Sequence, residues 1–90
     1  MLTQNNCMHY IKVYLPIVAE FTSRGGIRPK KLIWNINEEF EIERVKAIER
    51  APCKSGGILP IRYTVIIDGQ EKYLYFEKDK ERWFVEKLVE

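Results

Sequence analysis

Residues 61–86 read IRYTVIIDGQEKYLYFEKDKERWFVE, and this stretch decides the fold. Ile61, Tyr63, Val65 and Ile67 alternate with Arg62, Thr64 and Ile66, the period of two expected of a strand with one buried face. Asp68-Gly69 follows, a pair favoured in two-residue hairpin turns because both central residues take positive φ. Pairing across that turn sets Tyr63 opposite Leu74 and Ile61 opposite Phe76. A second turn at Lys78-Asp79-Lys80-Glu81 sets Phe76 opposite Trp83 and Leu74 opposite Val85. Three successive strands then share one apolar face. The expected core is Trp34, Ile42, Tyr63, Val65, Leu74, Phe76, Trp83 and Val85.

Upstream, Ile11, Val13, Leu15, Ile17, Ala19 and Phe21 alternate with Tyr10, Lys12, Tyr14, Pro16, Val18 and Glu20, a strand that Pro16 confines to an edge. Ser23-Arg24-Gly25-Gly26 breaks the chain, and Pro29 keeps the next loop extended. Leu32, Trp34 and Ile36 alternate again; a turn over 37–39 would place Ile36 opposite Phe40 and Trp34 opposite Ile42. Residues 38–50 also contain good helix formers, but Phe40, Ile42, Val45, Ala47 and Ile48 do not line one helical stripe. A strand with a bulge near Arg44 is the preferred reading there. Residues 51–59, APCKSGGIL, read as a loop. The expectation is an all-β chain: a small antiparallel barrel of about five to six strands with no major helix. Residues 1–9 read as a loose leader and 10–90 as a single domain.

At 90 residues a second core has no room. Fifteen basic against thirteen acidic residues give a net charge of +2, too balanced by itself to mark a nucleic-acid binder. No apolar run approaches the ~18–20 residues of a membrane span, and Met1 to His9 lacks the basic start of a signal peptide. Cys7 and Cys53 read as free thiols of a cytoplasmic protein. Two distant cysteines and one histidine cannot supply a tetrahedral metal site, so no metal or other cofactor is expected.

Ala19-Glu20-Phe21, Arg28-Pro29 ahead of Ile33-Trp34, Phe40-Glu41-Ile42-Glu43-Arg44-Val45, Gly56-Gly57, Arg62-Tyr63-Thr64 and Trp83-Phe84-Val85-Glu86 are short pieces spread over most of the chain. Together they resemble a family of small, uncharacterised bacterial proteins built as SH3-like or similar small β-barrels. Family members often carry Asp-Gly where this chain has Asn37-Glu38, a departure confined to a turn. The resemblance implies a fold and transfers no activity.

No catalytic constellation emerges. Cys7 and His9 fall in the leader, where nothing holds a geometry, and Cys53 has no histidine near it in sequence. Glu38, Glu39, Glu41 and Glu43 read as a solvated strand face, and Gly25-Gly26 and Gly56-Gly57 as turns rather than phosphate loops. A non-enzyme without an evident small-molecule substrate is expected.

The face opposite the core is more suggestive. Arg62, Tyr73, Tyr75, Arg82 and Phe84 all fall on it, a stacking platform suited to single-stranded nucleic acid or a peptide. The leading expectation is a binding module that uses this face on a protein partner, a nucleic acid or a second copy. Cross-strand aromatic pairing, or burial beneath the N-terminal strand or the 50–59 loop, explains the same pattern and is the commoner reason for it. A second reading makes Arg24, Arg28, Lys30 and Lys31 a phosphate-contacting loop of a small nucleic-acid-binding or regulatory protein.

Overall fold

The computed structural model describes residues 9–89, which form eight strands. They are β1 (His9–Tyr14), β2 (Ile17–Phe21), β3 (Ile27–Asn35), β4 (Glu38–Glu41), β5 (Arg44–Arg50), β6 (Ile61–Ile67), β7 (Gln70–Glu77) and β8 (Arg82–Val89). Two antiparallel sheets result, one ordered β1-β8-β7-β6-β5 and the other β2-β3-β4. No helix of the described residues is long and apolar enough to cross a membrane.

The expected strand over 10–21 is two strands in different sheets. Pro16 lacks the N–H a continuing ladder requires, and the chain bends there. The exchange is abrupt. Leu15 N–H donates to Trp83 O at 3.2 Å in one sheet, and Pro16 O accepts from Ile33 N–H at 3.0 Å in the other. Residues 38–50 are strands, not a helix, and they switch sheets in the same way. Ile42 N–H donates to Lys30 O at 3.0 Å, while Glu43 N–H donates to Ile66 O at 2.8 Å. Two bent segments therefore stitch the sheets together, and Ile11 and Phe21, expected inside, are exposed.

The hairpins of the 61–86 stretch hold the anticipated register except at Leu74. That residue does not pair with Val85 as expected, because β8 leaves β7 after Phe84 and Val85 pairs with Val13 of β1. Ile61 opposes Phe76, Tyr63 opposes Leu74 and Phe76 opposes Trp83. Asp68 and Gly69 carry φ of 51° and 72°, both positive as the turn type demands. The β3–β4 hairpin departs from expectation. Leu32, not Ile36, opposes Phe40, and the turn falls at Ile36-Asn37. Asn35 sets it: its Oδ1 accepts from Asn37 N–H at 2.8 Å and its Nδ2 donates to Glu38 Oε1 at 2.8 Å. Trp34 becomes the extra residue of a bulge between Ile33 and Asn35, which leaves it 43% exposed instead of in the core. The bulge expected near Arg44 lies between Val45 and Ala47.

Between the sheets, Leu32, Ile42, Tyr63, Val65, Leu74 and Phe76 are buried against Leu15, Ile17, Ile27, Phe40, Trp83 and Val85. Trp83 packs its ring 4.6 Å from Phe76 and 5.0 Å from Tyr63. The Tyr63 hydroxyl donates to Ile27 O at 3.2 Å, so the largest polar handle in this core is satisfied by the opposing sheet.

Candidate functional site

The outer face of the five-stranded sheet carries a row of stacked side chains crossing four strands, β6, β7, β8 and β1. Arg62 lies over the Tyr73 ring at 4.4 Å, and Tyr73 meets Tyr75 at 6.5 Å between centroids. Tyr75 stacks on Phe84 at 5.0 Å, Phe84 meets Tyr14 at 5.6 Å, and Arg82 lies over Tyr14 at 4.0 Å. A guanidinium thus caps each end of four rings, where cation–π attraction is strongest on desolvated faces. Both arginines are also ion-paired, Arg62 to Glu49 at 2.7 Å and Arg82 to Glu77 at 3.3 Å. The Glu49 hydrogen bond holds the Arg62 guanidinium more firmly protonated than usual.

The middle of this row is not surface. Tyr75 and Phe84 are 3% and 0% accessible, so the covered alternative holds for them and the exposed-platform reading does not. Tyr14 on β1 packs edge-on against Phe84, and Lys12 reaches over the same ring at 5.3 Å. The 51–59 loop is tied down on this side: Ser55 N–H donates to Glu86 Oε2 at 2.6 Å, and Lys12 Nζ donates to Gly56 O. Burial, with the Glu86 carboxylate adding to it, pushes the Tyr75 phenol up to about 12. Tyr73 stays 47% exposed and Arg62 half-buried, with Arg82 exposed beyond the covered pair. The five candidate residues therefore split into two separate surfaces. Tyr14 and Lys12, the residues that complete and cover the row, went unsingled in the sequence because β1 reads as an ordinary edge strand.

A second feature follows from the pairing. Tyr75↔Phe84 is the final β7–β8 pair in the direction away from their turn. Beyond it β7 runs back to Gln70 paired with β6 alone, and β8 runs on to Val89 paired with β1 alone. A cleft of about 640 Å³ opens where the strands part. Leu32, Trp34, Phe40 and Leu74 line it from between the sheets, and Tyr10, Pro52, Lys54 and Tyr73 from the outer side. One cavity can take walls from both faces only if the sheet is open between them.

Set against family models, curated proteins and solved structures, the chain matches none.

The basic residues of the alternative site lie on the three-stranded sheet and its β2–β3 turn. Lys30 approaches Glu20 at 4.0 Å and Lys31 pairs with Glu39 at 3.1 Å, while Arg28 opposes Glu20 in register. Arg24 sits exposed in the turn. Cys7 lies outside the described residues. Cys53 is a half-buried free thiol in the 51–59 loop, and His9 is exposed on β1 opposite Val89. Among the described residues no three His, Cys, Asp or Glu side chains gather as a metal site.

Proposed function

We propose that this chain is a non-catalytic binding module whose recognition surface is the aromatic cleft at the β7–β8 parting, with Arg62 and Tyr73 on its outer rim. The observation that carries this reading is the pair of half-exposed rings, Trp34 and Tyr73, standing on opposite sides of one apolar-walled opening. Large rings left partly in water forgo part of the burial energy that folding offers them, and such rings cluster where partners bind. The module acts on another macromolecule in the cytoplasm, or on a second copy of itself through a sheet edge. Its two sheets read as one small antiparallel barrel of the SH3-like kind, opened at this parting; the two bent segments that join the sheets support that reading.

A photo-crosslinking residue placed at position 73 tests the proposal in cells. A discrete adduct from position 73 that is absent from position 48 and lost with Trp34→Ser supports it. Equal labelling at both positions, or none at 73, overturns it. The second reading, nucleic-acid binding through Arg24 and Arg28, rests on the two cations of the basic group that form no ion pair among the described residues. It predicts a nucleic-acid adduct from position 24 and a steep fall in affinity with salt.

A further inference from the structure

We infer that the β7–β8 parting is a strand-addition site for an extended peptide bearing apolar side chains and an acidic one. The inference rests on the reading of this cleft as the recognition surface, and it names the occupant.

The backbone argues first. Gln70–Leu74 of β7 and Val85–Val89 of β8 are extended and each is paired on one side only. Two half-satisfied strand edges therefore confront each other across the cleft. A row of unpaired main-chain donors and acceptors along a strand edge is a template for further pairing, and an extended chain is the occupant that complements it. Because β7 and β8 are antiparallel, a chain entering between them runs antiparallel to one and parallel to the other. Pairing with either edge alone already satisfies the inference.

Side chains argue second. Successive residues of an added strand point to opposite faces. Here one face meets Trp34 and Phe40 and the other meets Tyr10 and Tyr73, so both sets of alternating positions favour apolar groups. Charge argues third. Glu71 is held by Lys46 at 2.9 Å, and Glu86 by Ser55 N–H. Lys72 forms no ion pair among the described residues, and Lys54 only lies over the Tyr10 ring at 4.9 Å and reaches its hydroxyl at 3.5 Å. The charged residues lining the cleft, Lys54, Arg62 and Lys72 against Glu71 and Glu86, leave a net positive charge, which selects a carboxylate on the peptide.

The test pans phage-displayed random dodecapeptides against the full chain and synthesises the enriched sequences. Expected are peptides rich in aromatic or aliphatic residues with an Asp or Glu. They should shift and protect from exchange the backbone amides of residues 70–74 or 85–88 in nuclear magnetic resonance spectra. N-methylation of alternate peptide amides should weaken binding at least tenfold on one of the two alternations, and Lys72→Glu should weaken it several-fold. If peptides shift the cleft amides but tolerate N-methylation of either set, strand addition falls while the recognition surface stands. If no peptide shifts those amides, the inference falls, and crosslinking from position 73 judges the surface separately. A peptide-free dimer whose contact covers the cleft assigns the site to a second copy. Displacement of bound peptide by a thymidine oligonucleotide assigns it to nucleic acid. Either of these results overturns the assignment to a peptide.

Discussion

Tyr75 and Phe84 face each other across β7 and β8 with ring planes 12° from parallel and centroids 5.0 Å apart, and the two strands pair no further beyond them. The stack fastens the vertex of the parting. On one side of it the sheet is continuous to the Lys78–Glu81 turn, and on the other it divides into two arms.

Removing that fastening should be costly. Tyr75→Ser is expected to destabilise the monomer by roughly 2–4 kcal/mol, as large-to-small changes at buried sites do. Urea unfolding, followed by tryptophan fluorescence, checks it. A loss below about 1 kcal/mol would mean that the β1 and 51–59 cover contributes little.

The same phenol gives stability an alkaline limit. Its folded pKa stands at about 12, above the usual unfolded value of about 10. The unfolded chain therefore loses this proton first as pH rises. The stabilisation is complete below about pH 10 and fades toward pH 12, by roughly 2–3 kcal/mol in all. Tyr63 and Tyr14 are also raised, both chiefly by burial, so they add to the slope. Tyr75→Phe should flatten the pH dependence of unfolding between pH 10 and 12 without removing it.

The two tryptophans should behave oppositely. Trp83 packs on Phe76 and Tyr63, so Trp83→Ala is expected to cost about 3–5 kcal/mol. Trp34 stands in a bulge at the cleft rim, so Trp34→Ser should cost less than about 1 kcal/mol. Melting temperatures of the two variants compare them directly.

Gly69 holds φ at 72° in the β6–β7 turn, and its N–H donates to Glu43 Oε2 at 3.2 Å. Gly69→Val should lose roughly 1–3 kcal/mol, because a β-branched residue is strained in that conformation. Gly69→Asn should lose less, and thermal melts would show the ranking.

Glu86 anchors the loop through Ser55 N–H, a charge-assisted bond of 2.6 Å. Glu86→Ala should cost about 1–3 kcal/mol and speed tryptic cleavage at Lys54. Unchanged cleavage would show that the remaining ties, Lys12 to Gly56 O and Lys54 to Tyr10, suffice to hold the loop.

The residues that specified their own register were legible in the sequence. Ile61 to Phe76 alternate cleanly around Asp68-Gly69, and a slip by one would have turned Tyr63, Val65 and Leu74 outward. Alternation gives the parity of a side chain but not what covers it. Phe84 and Tyr75 fall on the expected face, and alternation left open whether β1 and the 51–59 loop cover them, because the tie that decides it joins Ser55 to Glu86, 31 positions apart. The sheet switch at Leu15-Pro16 was hidden because the apolar spacing of two runs on from Leu15 to Ile17. At Ile42-Glu43 the spacing slips from Ile42 to Val45, and that slip reads equally well as a bulge. Trp34 was misplaced because Asn35, through its side-chain hydrogen bonds, moved the turn and created the bulge. The parting itself depends on β8 following β1 rather than β7, a competition between distant partners that no local pattern records.

The β1–β8 ladder joins residues far apart along the chain: its closest pair in sequence is Tyr14↔Phe84, separated by 70 positions, and its farthest is His9↔Val89. On a ribosome β1 emerges early and then waits, its intended neighbour still unmade, while β6 and β7 close their local hairpin unaided. The aromatic row cannot assemble until that late zipper shuts, so folding of this chain should be slow for its size and governed by loop closure. Circular permutants that splice the two strands into one hairpin would abolish the wait and fold faster.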